Sequence, residues 1–220
     1  MNVGELIDIW RSDVGDTTEP YLWPDTVAIE FADDAQNEAC RRARLLRDST
    51  EPDICQIPLV AGTAVYDLDP RIIRVDRARI SGETVPLAFC MVRKADSVYP
   101  GWDTWDDALP QVVIPDHTAR SLYLLPAPDA VGTLLLNVVR LPLITLDDVD
   151  DDLEIPLHHQ RSLRHWMTYR ALLQHDSETF DKKAAETALS LFELEFGRAQ
   201  PAYDEQWIQD HYVGNGYGHY

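Results

Sequence analysis

Apolar residues change their spacing twice along this chain of 220 residues, from a helical period at the start to short strand-like runs and back to a helical period near the end. Val3, Leu6, Ile7, Trp10 and Val14 recur at three- and four-residue steps, which predicts an amphipathic helix over 3–12 that stops near Gly15 and Asp16. Trp23-Pro24-Asp25 opens a second helix, with Val27, Phe31, Ala35 and Ala39 forming a ridge that runs toward about residue 47. Between Ile54 and Leu143 the pattern becomes TAVYDL, RIIRVDRARI, TVPLAF, QVVI, RSLYLL and TLLLNVVRL, separated by Pro, Gly and Asp, and these read as strands. Ile80-Ser81-Gly82-Glu83-Thr84 reads as a hairpin turn, and the aperiodic stretch from Val92 to Pro110 as an ordered loop plugged by Trp102 and Trp105.

A third helix is expected from Pro156, with Leu163, Trp166, Met167 and Arg170 on one face. A fourth follows, capped by Asp176 or Ser177, striped by Phe180, Ala184, Ala188, Leu191 and Phe192 and ended by Gly197. Helices at both ends with strands between imply an α+β fold. Residues 1–50 and 146–197 supply a helical bundle, 51–145 a β-rich insertion, and 198–220 an extended arm too polar for a core of its own.

Charge narrows the function. The chain carries 38 acidic and 19 basic residues, a net charge of −19, which opposes sequence-independent binding to phosphate backbones. Such a surface serves solubility, and it also suits a wall past which DNA slides without sticking. The one dense basic cluster, Arg41, Arg42, Arg44 and Arg47, follows the acids Asp25, Glu30, Asp33 and Asp34 of the second helix, an order that matches the helix dipole. Arg41 and Arg44 are also candidates for a contact with another subunit.

The residues that carry chemistry form no catalytic pattern. His158, His159, His165 and His175 gather in the third helix without the spacing of a metal site. His158 and His165 are read as partly exposed histidines at a subunit contact. Asp147, Asp148, Asp150, Asp151, Asp152 and Glu154 lack the glycine and terminal glutamate of a calcium loop and read as solvated acids ahead of a helix. Cys40, Cys55 and Cys90 are odd in number and widely spaced, so they read as reduced, buried thiols in a protein made in a reducing cytoplasm. No phosphate loop, nucleophile elbow or membrane-length apolar run occurs, so no catalytic residue, metal or cofactor is assigned and no membrane partner is expected.

The blocks LYLLPAPDAVGTLLLNVVRLPL, DDVDDDLEIPLHHQRSLRHWMTYRAL and DSETFDKKAAETALSLFELEFGRA occur in an order that resembles the head-to-tail adaptor proteins of tailed bacteriophages, including the tail tubular A-like group. GELIDIW and WPDTVAIEFADDAQNEACRRA extend the likeness toward the N-terminus, while Pro24 in place of a polar cap and the aromatic tail depart from it. The resemblance implies a structural, non-enzymatic subunit of a twelve-membered ring in the virion neck. Its partners would be a portal protein, a tail or nozzle protein and copies of itself, with DNA present only in transit. It also implies a portal-docking arm, in which Tyr203, Trp207, Ile208, Tyr212, Tyr217 and Tyr220 are the candidate contacts. An acidic protein-binding module of non-viral origin and a metal-dependent hydrolase are the competing readings.

Overall fold

The computed structural model describes residues 1–174 and 180–199, which form two compact units, Met1–Leu46 with Leu141–Ala199 and the intervening Arg47–Arg140. The fold is α+β. The first unit holds five helices: α1 (Val3–Val14), α2 (Asp25–Ala43), α5 (Leu157–Gln160), α6 (Leu163–Leu172) and α7 (Lys182–Phe196). The second holds β1 (Leu46–Asp48), α3 (Pro52–Cys55), β2 (Gln56–Leu59), β3 (Val65–Asp67), β4 (Ile72–Ile80), β5 (Ala88–Phe89), α4 (Val92–Val98), a 3₁₀ turn (Trp102–Thr104), β6 (Val112–Pro115), β7 (Ser121–Leu125) and β8 (Gly132–Arg140).

In the bundle, α6 packs against α1, α2 and α7. Small residues on α2, Ala28, Ala32, Ala35 and Ala39, are fully buried and let a neighbouring helix approach closely, while Leu6, Trp10, Phe31, Leu163, Met167 and Phe192 fill the space between. Trp10 stands edge-on to Phe31 with centroids 6.2 Å apart and tilts against Trp23 at 5.4 Å. The α1–α2 connection is clasped by buried Arg11, which donates to Asp16 at 2.7 Å, to the Trp23 carbonyl at 2.9 Å and to Asp25 at 2.7 Å. Asp16 in turn accepts the Leu22 and Trp23 amides.

The acidic run is built into this unit. Its backbone crosses the start of α1, where the Asp151 carbonyl accepts the Val3 amide at 2.9 Å and the Val149 carbonyl accepts that of Gly4 at 2.8 Å. Asn2 and Glu5 form a capping box, so the first-turn donors of α1 meet partners on both sides. A Cβ at Gly4 would stand 3.2 Å from the Val149 carbonyl oxygen, which explains the glycine at that crossing. The carboxylate of Asp151 accepts the Asp147 and Asp148 amides, and these bonds hold its pKa below the ordinary range. The run is therefore a capping strap for α1 as well as a stretch of solvated acids.

In the second unit β8 pairs antiparallel with β4 and with β2, and it also pairs with β1. The second sheet has the order β3-β7-β6-β5, antiparallel except for β5 against β6. Asp48 and Arg140 pair at 2.8 Å with both side chains nearly buried. Burial pushes the Asp48 pKa up. Donation by the Thr50 amide, Arg140, the Thr50 hydroxyl and the Glu51 amide outweighs it and leaves the carboxyl far below its usual range. Cys40, Cys55 and Cys90 are buried free thiols, as predicted, and desolvation raises the pKa of Cys55 and Cys90.

Several element boundaries differ from the sequence reading. The second helix ends at Ala43, where Arg44 turns into the left-handed region at φ 53°, and the next residues pair as β1 instead of continuing toward 47. The predicted third helix is two, because hydrogen bonds from Ser162 to His159 and from His165 to Ser162 tighten the junction between α5 and α6. Buried Gln160 fixes α5 by donating to the Leu153 and Ile155 carbonyls. Asp181 caps α7, while Asp176 and Ser177 lie outside the described residues. The buried stripe of α7 is accordingly Ala185, Ala188, Phe192 and Phe196, with Phe180 and Leu191 exposed. Residues 92–110 contain α4 and the 3₁₀ turn; Trp102 is buried and donates to Asp96 at 2.9 Å, but Trp105 is 44% exposed. The turn at Gly82 forms at φ 90° and brings the chain back against β4, where the Leu87 amide donates to the Ala78 carbonyl at 2.8 Å, before β5 joins the second sheet.

Candidate functional site

One end of the bundle gathers the polar residues that the sequence left scattered. Glu38, Arg41 and Arg42 share one face of α2 because three- and four-residue steps return to the same side of a helix. Glu38 accepts from Arg41 at 2.8 Å and from Arg42 at 2.6 Å, and the Arg42 side chain is only 5% exposed. Burial raises the Glu38 pKa, but the two guanidinium groups win and the net shift is downward. Arg42 reaches on to the Gly197 carbonyl at 3.2 Å and lies 3.8 Å from the Glu193 carboxylate, with its guanidinium over the Trp166 and Phe192 rings. It thus ties the C-terminus of α2 to the C-terminus of α7, where a cation is also favoured by the helix dipole.

His159 completes this end. Its Nδ1 is 2.6 Å from Glu195, its ring tilts against Phe196, and the His158 ring lies tilted against it with centroids 4.0 Å apart. His165 on α6 is half-buried, and its pKa is pushed below the ordinary 6.5 by desolvation first and Arg164 second, against the opposing pull of Asp13 and Glu195. Arg164 pairs with Asp13 at 3.1 Å.

Of the predicted contact residues, Arg41 stands at this end, paired with Glu38 on a partly exposed surface. Arg44 is the left-handed cap of α2. His158 is exposed on α5 and His165 lies on α6 beyond the break, so they do not belong to one continuous helix. Tyr203, Trp207, Ile208, Tyr212, Tyr217 and Tyr220, with His175, lie outside the described residues. The sequence reading names Arg42 and His159 within their clusters but gives neither a role here, and it does not single out Glu193 or Glu195. Glu38 placed three before Arg41 and four before Arg42 was the available signal for the first of them.

Among the described residues no group of three or more His, Cys, Asp or Glu side chains is arranged to hold a metal ion, and no helix is long and apolar enough to cross a membrane. The site is an arrangement of charged and aromatic surfaces at the point where the chain leaves α7. A family model for the SU10 adaptor protein matches residues 1–212, nearly the whole chain. This chain is a member of the SU10 adaptor protein family. The family is one of phage head-to-tail adaptors, in keeping with the resemblance in the strand and helix blocks. No curated protein matches the chain.

Proposed function

We propose that this adaptor is a structural subunit of a ring in the virion neck, seated beneath the portal, joining the capsid to the tail and leaving a central path for DNA. The family match over residues 1–212 carries this reading. A surface repeated head to tail about an axis closes into a ring without any catalytic step, so the proposed work of the protein is geometric. The net charge of −19 fits a path that DNA traverses without adhering, because like charges repel within a Debye length of about 8 Å.

In this proposal Arg41, Arg44, His158 and His165 face the next subunit, and the segment from Arg198 onward docks on the portal through Tyr203, Trp207, Ile208, Tyr212, Tyr217 and Tyr220. The tie from Arg42 to Gly197 supports the second assignment, since it anchors the chain immediately before the segment begins. The test is the particle mass, by native mass spectrometry, of the full chain and of a chain ending at Gly197, each mixed with the portal ring of the same phage. The full chain is expected to cap the portal in stoichiometric number and the shortened chain to bind at least tenfold more weakly. Persistent monomer in the first mixture overturns the ring reading, and undiminished binding in the second overturns the arm.

A further inference from the structure

The β-rich unit carries a groove over its core that the adaptor reading does not use. It is about 540 Å³ and is lined by Tyr99, Trp105, Asp106, Gln111, Leu125 and Pro126, among others. Tyr99 and Trp105 meet at 5.9 Å with an interplanar angle of 80°, so their faces form two walls of a corner. The floor is firm, because Leu125 is buried in the cluster around Trp102 and Ile114. Trp105 is 44% exposed and Leu109 beside the groove 46%, so the rim presents apolar surface to solvent.

The electrostatics of the groove have one sign. None of its lining residues is basic, Asp106 stands in the lining, and Asp103 and Asp107 flank it in the chain. Among the described residues the Asp106 carboxylate takes part in no hydrogen bond or ion pair, whereas Asp96 nearby in sequence is engaged by Trp102. Two aromatic faces at right angles, an unengaged carboxylate, an amide side chain and an apolar floor form the chemistry that receives a cation on an aliphatic stem. The ring faces attract the charge, the carboxylate pairs with it and the floor covers the methylenes.

We infer that this groove docks an arginine-bearing segment of a partner protein, with the guanidinium against the aromatic corner of Tyr99 and Trp105 and paired to Asp106. The planar guanidinium stacks on a ring and forks onto a carboxylate at once, which a lysine ammonium does not do. The segment comes from a different protein. Residues 199–220 of this chain contain no Lys or Arg, and its one dense basic cluster is partly held in the bundle by Glu38.

The experiment is a titration of the full chain with the capped peptide Gly-Arg-Gly-Arg-Gly, followed by the indole ¹⁵N–¹H resonance of Trp105. The same peptide with citrulline, equal in shape and uncharged, serves as comparison. The expected result is a shift of the Trp105 resonance with the arginine peptide and affinity at least fivefold weaker for citrulline. Trp105→Ala should weaken arginine-peptide binding, read by calorimetry, about fivefold or more. Because that substitution leaves the net charge at −19, such a loss separates the groove from general attraction to an acidic protein. Asp106→Asn should weaken binding by a similar factor, and Trp105→Phe by less. Equal binding of the citrulline peptide, full binding by Trp105→Ala, or absence of a Trp105 shift overturns the inference. So does a loss of self-association in Trp105→Ala with peptide binding intact, which would make the groove a contact between copies. None of these outcomes depends on portal binding.

Discussion

Arg11 shows how much one buried charge organises. Its guanidinium is held by Asp16, Asp25 and the Trp23 carbonyl and lies over the Tyr21 ring at 3.7 Å, with the Arg11 and Asp16 side chains 5% and 6% exposed. Removing one partner of such a pair strands the other in a dry site, so Arg11→Ala is expected to destabilise the bundle by about 3–5 kcal/mol, measured by urea denaturation. Asp25→Ala should cost far less, because that side chain is 60% exposed and its charge is screened. His165 makes a prediction of opposite character. Its pKa is depressed in the folded protein, so the unfolded chain binds the proton more readily. Stability therefore falls as pH drops through about 6.5 toward the folded value and levels off below it. Thermal melts between about pH 7 and pH 5 should show a steeper decline for the native chain than for His165→Gln. Equal slopes would show that His165 does not titrate differently on folding.

At the scale of elements, what the sequence revealed and what it concealed divide along a physical line. Local patterning carried α1, most of α2, β3, β4, β6, β7 and β8: α1, α2 and β3 bury a face at a regular interval, while β6 and β7 are short apolar runs between turn residues, buried on both faces. Capping also read correctly where it was local, with Gly15 closing α1 and Gly197 closing α7. The misplaced boundaries were those set by partners outside the element itself. Leu46–Asp48 has nothing in its own sequence to make it a strand, and it becomes one because β8 offers an open side. The break between α5 and α6 is fixed by Gln160 reaching back to Leu153 and Ile155, a bond no helical period reveals. The bundle end was legible in part for the same reason. The density of arginines near residue 42 was visible, but which of them turns inward depends on Gly197 and Glu193, more than a hundred residues away. Trp102 and Trp105 both read as aromatic plugs of an aperiodic loop, and their spacing alone does not distinguish the buried ring from the exposed one.

At the scale of the whole molecule the second unit enters and leaves at one place. β1 lies beside β8, and the Asp48–Arg140 pair at 2.8 Å bridges the second and last residues of the span Arg47–Arg140, so its ends are neighbours. An inserted segment with adjacent ends, two sheets and its own apolar interior has what a separate domain needs. A fragment of residues 47–140 is therefore expected to fold alone, giving a strand-rich circular dichroism spectrum and a cooperative urea transition. The pair at its ends makes that transition acid-sensitive in a defined sense. The Asp48 pKa is depressed on folding, so its contribution is fully present above the ordinary carboxylate value of 3.8 and is lost as pH falls below it toward the folded value. Asp48→Asn should lower the stability of the fragment at neutral pH by about 3 kcal/mol, the cost of losing the carboxylate charge beside the buried Arg140 guanidinium, and should flatten the acid limb. A fragment that unfolds without cooperativity would mean that the β-rich unit draws its stability from the bundle, and the neighbouring ends would then record only how the chain passes through it.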